Sequence, residues 1–210
     1  MEKVHYINHP VLTHKISILR NKKTRPAVFR NLVREIGMIE AYEALRHHPS
    51  ITKEVETPLE VMEGHFIQDS EICFVSILRA GLEMGHGARD ILPNACEGFI
   101  SMARDEVTFK PTLSYVKLPA GIKNKHTIIL DPMLATGGSS IAAVKLLREA
   151  GANVAAFCCI IAAPEGVKAF AEACPDVELY VGALDRELNE KAYILPGLGD
   201  AGDRIYNTVD

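Results

Sequence analysis

Residues 130–140 read LDPMLATGGSS, and three features of that run could do chemistry together. Asp131 follows an apolar stretch, Gly137 and Gly138 follow Thr136, and Ser139 and Ser140 open a segment with helical patterning. Glycine lets the backbone approach an anion closely and adopt positive φ. The free N–H groups of a helix start, with three hydroxyls beside them, supply donors to phosphate oxygens. A carboxylate just before such a cradle can accept hydrogen bonds from two sugar hydroxyls, so the run fits a ribose 5-phosphate. Without Asp131, a glycine-rich turn capped by serine would explain the remainder. The run is not a nucleotide P-loop, because G-x-x-x-x-G-K-[ST] and its lysine are absent, and no G-x-G-x-x-G is present.

Such a cradle must sit at a strand tip. Residues 127–130 (TIIL) form a short apolar strand feeding Asp131, and a helix follows over 139–150, closed by Gly151. Ile72–Leu78 (ICFVSIL) is a longer apolar run, followed by Arg79, Ala80, Gly81 and a helix reaching Leu92. Residues 99–103, 154–163 and 177–181 are further strands, with a short helix over 167–173. Upstream, Phe29, Leu32, Val33, Ile36, Ile39 and Tyr42 make a helical stripe ending near Leu45, and 55–67 reads as a hairpin around Pro58. Strands apolar on both faces and alternating with helices imply a parallel sheet covered on each side. Ligands then bind beyond the carboxyl ends of the strands, here after Leu78, after Ala103 and after Leu130. Residues 185–203 have no clean period and read as a long functional loop.

The 210 residues suffice for one full core, and a net charge of −4 points to neither nucleic acid nor an anionic membrane. Residues 1–15 lack the unbroken apolar core of a signal peptide, so the expected address is the cytoplasm. Five cysteines cannot all pair, and Cys73, Cys158 and Cys159 sit in apolar runs that predict buried, reduced thiols. His5 and His9 are four apart, but Pro10 argues against a helix continuing through them, and no third metal ligand stands at a usual spacing.

Residues 131–139 (DPMLATGGS) resemble the phosphoribosyl diphosphate motif of type I phosphoribosyltransferases, in the form seen in the uracil phosphoribosyltransferase family. So do residues 77–82 (ILRAGL), 104–106 (RDE), 117–119 (KLP), 162–166 (AAPEG), 176–180 (DVELY) and 193–204 (YILPGLGDAGDR), and the pairs His9-Pro10 and His14-Lys15. The resemblance spans nearly the whole chain, and the segment 196–203 is specific to the uracil enzymes. It implies the type I phosphoribosyltransferase fold: a mostly parallel twisted α/β sheet flanked by helices in a single domain, 1–210. The core would cover about 70–182, and residues 183–204 with N-terminal elements would form a hood over the base site.

The implied reaction joins uracil to 5-phosphoribosyl 1-diphosphate (PRPP), giving UMP and diphosphate, through a ribose of oxocarbenium character. Magnesium (Mg2+) would be carried by the diphosphate rather than held by protein ligands, and cations aimed at the leaving group would lower the barrier. By the same resemblance PRPP is bound by Arg79, Arg104, Asp131, Pro132, Met133, Leu134, Ala135, Thr136, Gly137, Gly138, Ser139 and Asp200. Main-chain groups of Ile194, Gly199 and Ala201, with Asp200, would read uracil. Arg79, Arg104, Asp131 and Asp200 would carry the catalytic stabilisation. The resemblance also implies a cis peptide at Arg79–Ala80, a homodimer or higher homo-oligomer, and GTP as a possible effector.

Glu83, His86, Ala103, Phe109 and Ala192 depart from the family pattern, and Glu83 is expected close enough to the diphosphate loop to oppose an anionic substrate. Two other functions are compatible with the fold: transfer to another oxo-base, which residues 196–203 disfavour, and a PRPP- or UMP-sensing regulator without catalysis. A regulator acting on nucleic acid would need a basic face, and 23 basic against 27 acidic residues give no sign of one.

Overall fold

The computed structural model describes residues 3–104 and 111–208; Asp105, Glu106 and Phe109 lie outside them. In chain order the elements are β1 (Val4–Tyr6), α1 (Pro10–Arg20), α2 (Pro26–Ala44), β2 (Ile51–Glu56), β3 (Val61–Phe66), β4 (Ile72–Leu78) and α3 (Gly81–Ile91). There follow β5 (Cys96–Arg104), β6 (Pro111–Lys117), β7 (His126–Leu130), β8 (Met133–Leu134), α4 (Gly138–Glu149), β9 (Asn153–Ala162) and α5 (Pro164–Ala173). The chain closes with β10 (Glu178–Leu184), β11 (Glu187–Leu188), β12 (Ile194–Leu195) and α6 (Ala201–Tyr206).

The main sheet runs β1-β10-β9-β7-β4-β5-β6, with β8 paired to β9. All its pairs are parallel except β5 with β6. Its two faces follow from strand alternation. On β4, Ile72 and Phe74 pack with α1, α2, α3 and α6, whereas Cys73, Val75 and Ile77 pack with α4 and α5. Phe29, Phe74, Phe157 and Phe170 are fully buried, each stabilising the fold by about 1.5–3 kcal/mol relative to exposure. Cys73, Cys158 and Cys159 are buried free thiols, as their apolar runs predict.

No helix runs through His5 and His9, as Pro10 predicts: His5 is in β1, and α1 starts at Pro10, where the missing N–H would have no partner, with the His9 ring capping the turn by accepting from the Val11 N–H at 3.2 Å. The structure changes two expectations. Residues 185–203 are not a bare loop, because β11 pairs antiparallel with β12 and Asp200 caps α6. The ribbon around Pro58 is a hairpin that begins at Ile51, its strands β2 and β3 forming a separate two-stranded sheet.

Candidate active site

The tips of β4 and β7 are in direct contact. After Leu78 the chain turns through Arg79 and Ala80 into α3, and a Cβ on Gly81 would meet the Leu130 carbonyl oxygen at 2.3 Å. Only glycine allows that approach. The cis peptide lies at Leu78–Arg79, one bond before the Arg79–Ala80 bond the resemblance implies; a second, Leu195–Pro196, stands in the C-terminal segment.

Beyond β7, Asp131 is followed by a short return to the sheet. The Pro132 carbonyl accepts from Ile161 N–H at 3.1 Å and the Leu134 carbonyl from Ala163 N–H at 2.9 Å, while both side chains are buried. Gly137 then turns with φ 82° to start α4. The Thr136 hydroxyl accepts from the Gly138 N–H at 3.4 Å, and Thr136 and Ser139 are exposed. Ser140 differs from its neighbours: its hydroxyl donates to the Gly137 carbonyl at 2.9 Å and is buried, so it serves the helix start rather than an anion.

The C-terminal segment folds over these tips through long-range polar ties. Buried Asp185 accepts from both terminal nitrogens of Arg20, one at 2.8 Å, and from the Gly197 N–H at 2.8 Å. Arg204 donates to the carbonyls of Leu19, Leu198 and Asn21 at 2.7–2.8 Å, and its guanidinium lies 4.3 Å from the centre of the Phe29 ring. Asp200 caps α6 by accepting from the Asp203 N–H at 2.8 Å. Its spacing of three from Asp203 is a helix-start signal that the sequence carries. Arg20, Asp185 and Tyr206 belong to no motif of the sequence, while Asp203 and Arg204 lie within residues 193–204 without an assigned role there.

The result is a cavity of about 260 Å³ lined in part by Arg79, Ala80, Asp131, Met133, Ser139, Asp200 and Ala201. Burial pushes the Asp131 carboxyl up to about 7, opposed by a long contact from the Met133 N–H at 3.5 Å. Six residues of the predicted set, Arg79, Asp131, Met133, Ser139, Asp200 and Ala201, thus border one space. Ala135, Thr136, Gly137 and Gly138 continue the cradle beside it. Pro132 and Leu134 can offer only main chain, and Ile194 is buried in the core facing α1 and α2. Gly199 is outside the lining and has φ 82°. Arg104 ends β5, two residues beyond the cavity-lining Met102.

Glu83 stands in the first turn of α3, just after Arg79 and Ala80, but off the cavity wall; it is 8% exposed, and its carboxylate meets His86 Nδ1 at 3.1 Å. A larger hollow of about 740 Å³, around Phe170, Cys174 and Leu179, shares no residue with the strand tips and is mostly apolar. Among the described residues no three His, Cys, Asp or Glu side chains converge to hold a metal ion.

The family model for uracil phosphoribosyltransferase matches residues 6–208. A uracil phosphoribosyltransferase of Lactococcus lactis is 50% identical over 99% of this chain and 100% of its own length. One of Lachnoclostridium phytofermentans is 49% identical over 99% and 100%. Among solved structures, the AQ2163 protein of Aquifex aeolicus superposes with a TM-score of 0.92 at 39% identity, covering 97% of both chains. An adenine phosphoribosyltransferase of Trypanosoma brucei, at 14% identity and TM-score 0.56 over 95% of this chain and 89% of its own, shares the fold. By sequence along its whole length and by fold, the chain belongs to the uracil phosphoribosyltransferase family.

Proposed function

We propose that this protein transfers the 5-phosphoribosyl group of PRPP to uracil, releasing diphosphate and giving UMP. The observation that carries the reading is the gathering of Arg79, Asp131, Ser139 and Asp200 around one cavity in a chain whose relatives along its full length are uracil phosphoribosyltransferases. In the reaction the bond from ribose C1 to the diphosphate oxygen breaks, the bond from C1 to uracil N1 forms, and the N1 proton leaves.

Residues 131–139 hold the ribose 5-phosphate in this reading. The Asp131 carboxylate accepts from the ribose hydroxyls, and the N–H groups at the start of α4 face the phosphate. Charge builds on the departing diphosphate, so the cations of Arg79 and Arg104 act on the step that is hardest. The substrate's own magnesium would neutralise part of that charge, and Asp131 and Asp200, both on the cavity wall, are the carboxylates suited to face it or its waters. Uracil is read by main-chain groups of Ile194, Gly199 and Ala201. Cytosine would set an amino donor against a backbone donor, a mismatch that discriminates strongly in a buried site.

We treat the chain as one domain in which α1, β11, β12 and α6 form the hood over the base. A dimer or larger homo-oligomer is supported by the β2–β3 hairpin, which exposes Leu59, Val61, Met62 and Phe66. The free cysteines suit a reducing compartment such as the cytoplasm. The test is UMP formation from uracil with magnesium and PRPP, beside cytosine, orotate and hypoxanthine, with and without GTP. UMP from uracil alone among the bases is expected; a folded preparation that makes none refutes the assignment.

A further inference from the structure

The end of α6 forms a seat for Arg79. Its Nη2 donates to Asp203 Oδ1 at 3.3 Å, and its Nη1 lies 3.5 Å from the Thr208 hydroxyl. That hydroxyl donates to the same Asp203 oxygen at 2.6 Å, which fixes the carboxylate's direction. The Tyr206 ring stands 5.7 Å from the guanidinium, and the Tyr206 hydroxyl donates to the Arg79 carbonyl at 3.1 Å. Four contacts from residues 203–208 therefore fasten both the backbone and the side chain of the diphosphate loop to the helix that Asp200 caps.

We propose that Asp203, oriented by Thr208, is a holding partner for Arg79: it keeps the guanidinium beside the cavity when no diphosphate is bound and competes with diphosphate for it. This rests on the reading of Arg79 as a diphosphate ligand. The Arg79 side chain is 59% exposed and the pair is long, so the hold is weak enough for a multiply charged anion to displace. When diphosphate leaves, Asp203 recaptures Arg79, which favours product release over rebinding. Asp203 is thus a positioning residue, acting on the reaction through Arg79.

Calorimetric titration with magnesium diphosphate tests this without requiring turnover. Asp203→Asn should bind diphosphate about two- to fivefold more tightly than wild type, the range an exposed ion pair supports. The KM for PRPP should fall with it, and the KM for uracil should not change. In an Arg79→Gln background the gain from Asp203→Asn should vanish. A gain of equal size in both backgrounds would mean simple charge repulsion, and no gain at all would mean no competition; either overturns the proposal. Failure of wild type to bind magnesium diphosphate sinks the site reading and this inference together, which separates that failure from the other two. Should Asp203→Asn not fold, Thr208→Val takes its place in the same cycle, since it frees the carboxylate without removing its charge.

Discussion

Gly81 and Leu130 touch: a Cβ on Gly81 would stand 2.3 Å from the Leu130 carbonyl oxygen. The loop bearing Arg79 thereby rests on the strand end that presents Asp131, and the distance between the proposed diphosphate and ribose subsites is set by backbone. A carbonyl of a central strand cannot swing aside as a side chain can. Gly81→Ala should cost about 1–3 kcal/mol of stability through overpacking. It should also lower kcat/KM for PRPP by about 10- to 100-fold, the effect of misplacing a reacting group by an ångström. Chemical denaturation and steady-state kinetics check both. A folded Gly81→Ala with wild-type kinetics would show that the contact does not set the site.

In its proposed role Asp131 links pH to binding. Its carboxyl is raised to about 7 by burial, and only the ionised form accepts from two sugar hydroxyls. PRPP affinity should therefore rise with pH through about 7, giving kcat/KM an acid limb there. Asp131→Asn should flatten that limb and weaken PRPP binding by about 1–3 kcal/mol. The effect on stability has the opposite sign. Because the folded value lies above the usual carboxylate value of 3.8, stability is lost as pH rises from that value through about 7. Asp131→Asn should accordingly be more stable than wild type at pH 8, though it binds PRPP more weakly. An unchanged affinity and pH profile would remove Asp131 from the site.

What the sequence made legible is what local chemistry specifies. Apolar runs mark β4, β7 and β9, and glycine with serine marks the cradle, because each signal is contained within about ten residues. The ties of the C-terminal segment were illegible for the converse reason. Arg20 meets Asp185 across 165 residues and Arg204 meets Leu19 across 185, and no spacing rule announces such pairs. The edge strands β1 and β6 were missed because half-exposed strands with polar residues lack an apolar run. Ala192 is a middle case. Its departure from the family pattern was visible, but not that its φ would be 60°, in the region that favours glycine.

Glu40 predicts an alkaline weakness in the core. Neither of its carboxylate oxygens has a hydrogen-bond partner among the described residues, and burial holds its pKa well above 4.5. Gly182 and Ile16 pack near it, and the neighbouring Cys158 and Cys159 thiols offer no cation. A folded pKa above the unfolded one means stability lost as pH rises through the folded value. Glu40→Met should stabilise the protein by about 1–3 kcal/mol near neutral pH, and by more at higher pH. His48 and His126 act at the other end: burial lowers both below 6.5, so their share of stability is lost as pH falls below that value. Denaturation series at pH 5.5, 7 and 8.5 read the two effects separately. Equal stability of Glu40→Met and wild type across the series would mean that Glu40 finds a partner in solution.

Asp185 tests whether the hood serves uracil in particular. Its carboxylate is nearly inaccessible and joins α1, through Arg20, to the Gly197 turn that precedes Gly199, Asp200 and Ala201. Removing one member of a buried pair typically costs about 3–5 kcal/mol, and Arg20 remains partly solvated, so Asp185→Ala should cost about 2–3 kcal/mol. Most of the residues proposed to hold the phosphate and diphosphate follow β4, end β5 or run from the tip of β7 into α4, away from this tie, and Asp200 is the exception. The expected signature is therefore a split: a uracil KM raised at least about tenfold, with the affinity for magnesium diphosphate within about twofold of wild type. Asp185→Asn, which keeps the shape and one acceptor for the Gly197 N–H, should fall between. If uracil and diphosphate binding weaken in parallel, the C-terminal segment supports the whole site, and its assignment to the base is wrong.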